Sequence, residues 1–272
     1  MSHNIYELVA NERRRSWWIM PSDERGTSSE PDPHPLDAVI WRALTGAQAN
    51  LAEGDERARR YPPAVAPFAA TRDTEPASFQ SLLALVSDED QIALFTTEEV
   101  EAPPAFLVTR ADSVDQMVLD DTGGRAVHLS APIVALGVAD VPEMLALARV
   151  TQPGPFGPRT VELGDYIGIR QRGALVAMAG ERMRIAGFTE VSAVCVEAAY
   201  RGHGFAVCLV GSLVSSIAVR GEIPFLHVFS SNHAAIALYR KLGFALRRRM
   251  HLTALARAAA TASSGHSQHI GR

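Results

Sequence analysis

The spacing of apolar and polar residues in the first part of the chain predicts two helices and two short strands. Apolar positions at helical spacing predict a helix at 37–44 and another at 78–86, the latter capped by Ser78. Continuous apolar runs predict strands at 92–95 and 106–109. No arrangement of residues with catalytic chemistry stands out in this part.

From residue 133 onward the alternation of strands and helices is sharper. The predicted elements are strand 133–138, helix 140–150, hairpin strands 166–170 and 174–183, strand 189–196, helix 204–219, strand 225–229, helix 233–242 and strand 246–252. This order predicts an α+β domain in which helices flank a mixed central sheet.

Four segments follow from this pattern. Residues 1–33 and 258–272 are polar and lack regular spacing, so we expect a disordered leader and a flexible tail. The turn Asp121-Thr122-Gly123-Gly124 marks a boundary between a smaller α/β N-terminal lobe, 34–124, and a second domain, 125–257.

Composition excludes several classes of protein. The chain has 272 residues, 47% of them hydrophobic, which is enough for a sizeable core. A net charge of -4 argues against a nucleic-acid partner, and we interpret Arg247-Arg248-Arg249 as solvated surface. No apolar run reaches the roughly 20 residues of a membrane span, so we expect a cytoplasmic protein without a membrane partner.

The two cysteines, Cys195 and Cys208, lie inside apolar runs. They indicate neither a disulfide framework nor a metal site, and we expect no bound metal. We interpret both as small buried apolar residues.

The chemistry of the chain is concentrated in a turn that follows the strand 189–196. Arg201, Gly202, His203, Gly204, Phe205 and Ala206 form an Arg-x-x-Gly-x-Ala sequence that opens a helix. Glycines let the backbone approach an anion closely, and free amides at a helix start favour a pyrophosphate.

Three other interpretations of this turn were weighed. A nucleotide-hydrolysing phosphate loop needs Gly-Lys-Ser or Gly-Lys-Thr, which is absent. A dinucleotide-binding turn needs a small residue where Val207 stands and a later acidic residue, so it fits poorly. A purely structural turn stays open on this segment alone.

Together with a second motif, this turn resembles the GNAT superfamily of N-acetyltransferases. Arg201, Gly204 and Ala206 match its coenzyme A signature, and the later family pattern appears as Asn232, Leu238-Tyr239 and Leu242-Gly243-Phe244. The resemblance covers about 133–253 and implies a GNAT-like mixed sheet. The two-region arrangement is similar to the glycine N-acyltransferase-like branch, in which an N-terminal lobe of related design precedes the active one.

The resemblance implies acetyl-CoA or coenzyme A as acyl-donor cosubstrate. Backbone groups of Val194, Cys195 and Val196 would then hold the pantetheine arm and the turn the pyrophosphate, with His203 as a turn residue. Asn232 is expected either to contact pantetheine or to cap the following helix.

Two side chains are candidates for proton transfer. By resemblance Tyr239 protonates the departing thiolate, while its helical spacing equally predicts a core aromatic. Glu190 removes a proton from the acceptor, either with its pKa raised by burial or through a water; the other interpretation is an exposed strand-end carboxylate. Glu181 is a less favoured substitute.

The resemblance also places the acceptor pocket near the 153–159 loop and Tyr166, where Phe156 and Arg159 have either a binding or a structural role. We therefore expect transfer of an acetyl or short acyl group to a primary amine of a small molecule, amino acid or peptide, and leave a homodimer open. A non-catalytic acyl-CoA-binding module is the main alternative, and a nicotinamide-dependent oxidoreductase is a third.

Overall fold

The computed structural model describes residues 34–120 and 131–259. The helices α1 to α5 span Val39–Thr45, Pro76–Leu85, Val141–Thr151, Phe205–Val219 and His233–Lys241. Short 3-10 turns lie at Pro35–Ala38, Ala49–Leu51, Val138–Asp140, Thr160–Leu163 and Ala198–Tyr200. The predicted leader, the boundary turn and nearly all of the predicted tail lie outside the described residues.

The strands β1 to β11 form two sheets. They span Glu53–Gly54, Ala58–Arg60, Ala69–Thr71, Gln91–Thr96, Phe106–Leu119, Val134–Leu136, Tyr166–Gln171, Ala174–Ile185, Phe188–Val196, Ile223–Phe229 and Phe244–Arg257. The strands β1, β2 and β3 make a small antiparallel sheet. The large sheet has the order β4-β11-β5-β10-β9-β8-β7-β6, with β9 and β10 parallel, which confirms the predicted mixed sheet.

Two predicted elements differ in extent. The helix expected from Ser78 begins at Pro76, and the Ser78 hydroxyl donates to Asp73 at 2.5 Å instead of capping the helix. The strand predicted at 106–109 continues to Leu119 because β11 pairs along its whole length. The middle of this strand is polar and exposed, so its sequence lacks the apolar pattern that predicts a strand. Only the pairing with β11 shows that it is one.

The predicted division into two lobes at residue 124 does not describe how this sheet is built. The strand β5, from before that boundary, lies between β10 and β11, from after it. The register joins Phe225 to Val118 and Phe244 to Leu119. The described residues therefore belong to one compact unit.

Helices cover both faces of the large sheet. On one face α4 places Leu209, Leu213 and Ile217 against a cluster that includes Ala177 and Val191. Successive residues of a strand point to opposite faces, so Met178 packs on the other side, in the cluster that contains α3. Each fully buried Leu or Ile contributes about 1.5–3 kcal/mol, which fixes both helices on the sheet.

The residues before β4 pack on the α3 side of the sheet. In α1, Val39 and Ile40 are fully or almost fully buried in a cluster with Met183, Phe225 and Met250. The N-terminal residues thus form part of the same core as the later strands. No helix within 34–120 or 131–259 has the length and apolar character that would let it cross a membrane.

Candidate active site

The parallel strands β9 and β10 separate after a short paired segment. Their pairing covers three residues of each strand and ends where Glu190 faces Phe225. Beyond this point β10 continues along β5, and β9 continues along β8. This fork leaves residues 191–196 of β9 without a ladder partner on β10.

A bulge in β9 lies just inside the fork. The ladder with β8 shifts here, so Cys195 faces Met178 while Ser192 faces Gly180. Between them Ala193 has a φ of 52°. A positive φ is uncommon for alanine, and bulges of this kind re-aim side chains near functional sites.

The turn after β9 presents the start of a helix to the fork. Gly202 and Gly204 have φ values of 82° and 78°, in the region that favours glycine, and Gly204 is the N-cap of α4. The first amides of a helix lack intrahelical partners and carry partial positive charge. Phe205 is buried and fixes this end of the helix, so the turn offers donors to an anion.

A cavity of about 250 Å³ joins these features. Its walls are Thr151, Val194, Cys195, Val196, Arg201, Ala206, Ala235, Leu238 and Tyr239. Six of these had been singled out from the sequence: Val194, Cys195, Val196, Arg201, Ala206 and Tyr239. The remaining predicted residues are outside the cavity wall: Glu190, Gly202, His203, Gly204, Phe205 and Asn232.

Of those residues, His203 directs its Nδ1 at the carbonyl oxygens of Tyr200 and Arg201, both at 3.1 Å. Asn232 caps α5, since its side-chain oxygen accepts from the Ala235 amide at 3.1 Å. The capping alternative for Asn232 is thus observed directly.

Tyr239 brings a phenol to the cavity from α5. Its ring is partly buried and lies edge-on to Phe244, with centroids 6.0 Å apart. Burial, reinforced by nearby Cys195, raises the pKa of Tyr239 to about 12. Burial likewise raises the pKa of Cys195, although contacts with Thr151 and Met178 oppose this. Both groups therefore stay protonated at neutral pH.

Glu190 is fully buried at the apex of the fork. Its carboxylate accepts two hydrogen bonds from Arg182, at 2.8 and 2.6 Å, and lies 2.7 Å from His227 Nδ1. Burial raises the pKa of Glu190, but the charge and hydrogen bonds of Arg182 and the contact with His227 outweigh it and lower the pKa. Of the alternatives for Glu190, a pKa raised by burial and an exposed strand-end carboxylate are therefore wrong, whereas transfer of a proton through a water stays a prediction.

The polar contacts continue from Glu190 across the sheet. The Nε2 of His227 lies 3.0 Å from Gln116 Nε2, and Gln116 accepts from Arg247 at 2.5 Å. Arg247 in turn pairs with Asp37, at the start of the described chain. Arg247 is mostly buried and is therefore not the solvated residue that the sequence indicated.

Two other predicted side chains are also paired. Glu181 is buried between Arg184 and Arg220, each at 2.6 Å, so it is no freer than Glu190. Arg159 donates to Glu162 at 2.7 and 2.8 Å on the surface. Its guanidinium is thus already engaged with a carboxylate.

The comparison with solved structures decides the family. A protein from Novosphingobium aromaticivorans assigned to the GNAT family of acetyltransferases is 42% identical to this chain. The match covers 83% of this chain and 100% of that one, with a TM-score of 0.77. The chain belongs to the GNAT superfamily of N-acetyltransferases.

Other comparisons agree with a GNAT assignment over smaller regions. Residues 166–253 match the model described as FR47-like protein. The N-alpha-acetyltransferase RimI of Mycobacterium tuberculosis is 40% identical over 92 residues, and the match spans 32% of this chain and 57% of that relative. A GCN5-related N-acetyltransferase from Kribbella flavida shares the fold, with 15% identity, a TM-score of 0.54 and coverage of 80% and 94% of the two chains.

In this GNAT fold, sequence reasoning missed Arg182 and His227, which hold Glu190. Arg182 lies in the predicted apolar strand of β8, where a charged residue in an otherwise buried run is itself a signal of pairing. His227 is likewise a polar residue in a mostly buried strand, β10, but it lies 37 positions after Glu190 in the sequence. Neither contact is visible before the strands are aligned.

Proposed function

We propose that this GNAT protein transfers an acetyl or short acyl group from acetyl-CoA to a primary amine by direct attack. The carrying observation is the cavity in which the β9 backbone, Arg201 from the turn before α4 and the Tyr239 phenol meet. Acetyl-CoA supplies an acyl group activated as a thioester. The turn at 201–206 fits its pyrophosphate, and residues 194–196 offer backbone groups to its extended arm.

Two groups at the fork act in different steps of the transfer. A β9 amide donates to the carbonyl oxygen as it becomes negative, which stabilises the transition state. The new N–C bond forms as the C–S bond breaks, and Tyr239 gives its proton to the departing sulfur. Tyr239 can fill this role because its phenol is protonated at neutral pH and forms part of the cavity wall.

Glu190 receives a different role from the one that the family resemblance implied. Its lowered pKa and its bonds to Arg182 and His227 make it a weak proton acceptor. We propose that it fixes β8, β9 and β10 at the apex of the fork. The acceptor then attacks as a free amine, having lost its ammonium proton to solvent. The proton that its nitrogen releases on forming the amide also passes to solvent, and Tyr239 regains a proton from solvent after the thiol has left.

The similarity to RimI supports testing peptide α-amines first, beside amino acids and small amines. The purified full chain is incubated with acetyl-CoA and a panel of peptides with free N-termini, the same peptides with blocked N-termini, free amino acids and polyamines. Thiol release is measured, together with the mass increase expected when one acetyl group replaces one hydrogen of the amine.

We expect thiol release with at least one free amine and none with its blocked counterpart. Binding of acetyl-CoA by calorimetry without turnover of any amine would favour the acyl-CoA-binding module instead. Failure to bind coenzyme A would remove both functions. A homodimer stays a prediction, which sedimentation of the same preparation tests.

A further inference from the structure

Tyr166, at the start of β7, carries a buried hydroxyl whose partner is not part of the described protein. The residue is 2% exposed. Within 34–120 and 131–259, no group lies within hydrogen-bonding reach of its hydroxyl oxygen. Leaving a buried polar group unpaired destabilises a fold, so each such group calls for an explanation.

The position of the Tyr166 ring is specified by its neighbours. It faces Gly180 across the β7–β8 ladder, and a Cβ at Gly180 would lie 2.3 Å from the ring. Phe156, from the proline-rich loop, packs edge-on with centroids 5.7 Å apart. Gly180 and Phe156 thus fix the position of the ring. In this position the Tyr166 hydroxyl is buried without a hydrogen-bond partner.

This place adjoins the reacting end of the proposed site. Gly180 faces Ser192 on its other side, so the ring lies one strand away from the bulge at Ala193. Tyr166 shares a buried cluster with Ala193 and Cys195, and Cys195 lines the cavity that Tyr239 reaches.

We propose that the Tyr166 hydroxyl binds the acceptor amine, accepting a hydrogen bond from its N–H and thereby orienting its lone pair toward the thioester. This rests on the proposed function. Burial, opposed by Arg182 and reinforced by Glu190 and Glu181, raises the pKa of Tyr166. The hydroxyl therefore stays neutral and keeps a lone pair for the amine.

The test is Tyr166→Phe, with Tyr61→Phe as a matched control. Both tyrosines are 2% exposed, but the Tyr61 hydroxyl donates to Gln48 at 2.6 Å. Removing the unpaired hydroxyl of Tyr166 should leave Tm equal or higher and lower kcat/KM for the acceptor about tenfold or more, without changing KM for acetyl-CoA. Tyr61→Phe should lower Tm and leave the kinetic constants of the folded enzyme unchanged.

The acceptor used is the amine with the highest turnover in the panel described above. If the wild-type enzyme is active and Tyr166→Phe has the same kcat/KM, this inference is overturned and the proposed function is not. A loss of activity accompanied by a lower Tm would also overturn it, because the hydroxyl would then be structural. No turnover by the wild-type chain with any amine overturns the proposed function and this inference together.

Discussion

Tyr239 is both a packed aromatic residue and a part of the cavity wall. It packs against Phe244 as a core aromatic does, and it also forms part of the cavity wall. The two roles are compatible because a phenol has an apolar ring and a polar tip. Packing holds the ring in place, and the same burial shifts the acidity of the hydroxyl.

Replacing Tyr239 by Phe tests the acid role. The ring is kept, so we expect coenzyme A affinity within about twofold of wild type, while kcat falls about 10²-fold or more because the thiolate leaves unprotonated. Steady-state kinetics with calorimetry of coenzyme A binding separates the two effects. Unchanged kcat at saturating substrates would remove Tyr239 from the mechanism.

The pH dependence follows from the same residue. An acid catalyst works only while protonated, and the pKa of Tyr239 is about 12, so its proton is retained well above neutral pH. We expect kcat at saturating acceptor to show no alkaline decline up to about pH 10, the ordinary pKa of tyrosine. A decline centred below that pH would show that another group donates the proton.

At the scale of elements, the fork between β9 and β10 depends on a buried ion pair. Arg182 on β8 and Glu190 on β9 make two hydrogen bonds, and His227 on β10 adds a third contact. Three strands are thus held together where two of them start to part. Such a pair specifies register more than it adds stability, because burying both charges is costly.

The pair predicts a strongly non-additive double mutant. Arg182→Met or Glu190→Gln alone leaves the charge of the other residue unpaired in a buried, apolar environment. Each single change should therefore lower the free energy of unfolding by about 3–5 kcal/mol. The double variant should cost clearly less than the sum of the two. Equilibrium unfolding in denaturant measures all three.

The surface pair Arg159 and Glu162 provides the control, since each single change there should cost at most about 1 kcal/mol. Additive costs for Arg182 and Glu190 would show that the two residues stabilise the fold independently. The fork would then owe its shape to the bulge and the backbone alone.

At the scale of the whole molecule, the large sheet combines strands from before and after residues 121–130. The strand β5 separates β10 from β11, and Asp37 bonds to Arg247 although the two residues are 210 positions apart in the sequence. We therefore expect that the region that matches the GNAT motifs does not fold by itself. Contacts this distant in sequence close late in folding.

Truncation tests this interdependence. A chain of residues 131–272 lacks β4 and β5, which leaves one edge of β10 and both edges of β11 unpaired, so we expect no cooperative unfolding transition and no coenzyme A binding. A chain of residues 34–272 keeps the described elements and should unfold cooperatively. Calorimetry with circular dichroism compares the two, and a cooperative transition in the shorter chain would contradict the expectation.

Much of the candidate site was accessible from the sequence because its signals are local. The turn at 201–206, the strand before it and the helix after it are set by glycines and by apolar spacing within about 30 residues. The six predicted residues that share the cavity lie on these elements and on α5. The family motifs, and with them the fold, follow from the same short segments.

What only the tertiary structure decided depends on strand pairing between distant residues. The sequence left open whether Glu190 is buried or exposed, whereas the sheet buries it and brings Arg182 and His227 beside it, and these two residues lower its pKa against the effect of burial. The length and position of β5 depend on its pairing with β11. The position of the Tyr166 ring, and with it the unpaired hydroxyl, depends on Gly180, which faces it across the ladder. Periodicity fixes which face of an element is apolar, but the partner of a face is set by the packing of the whole chain.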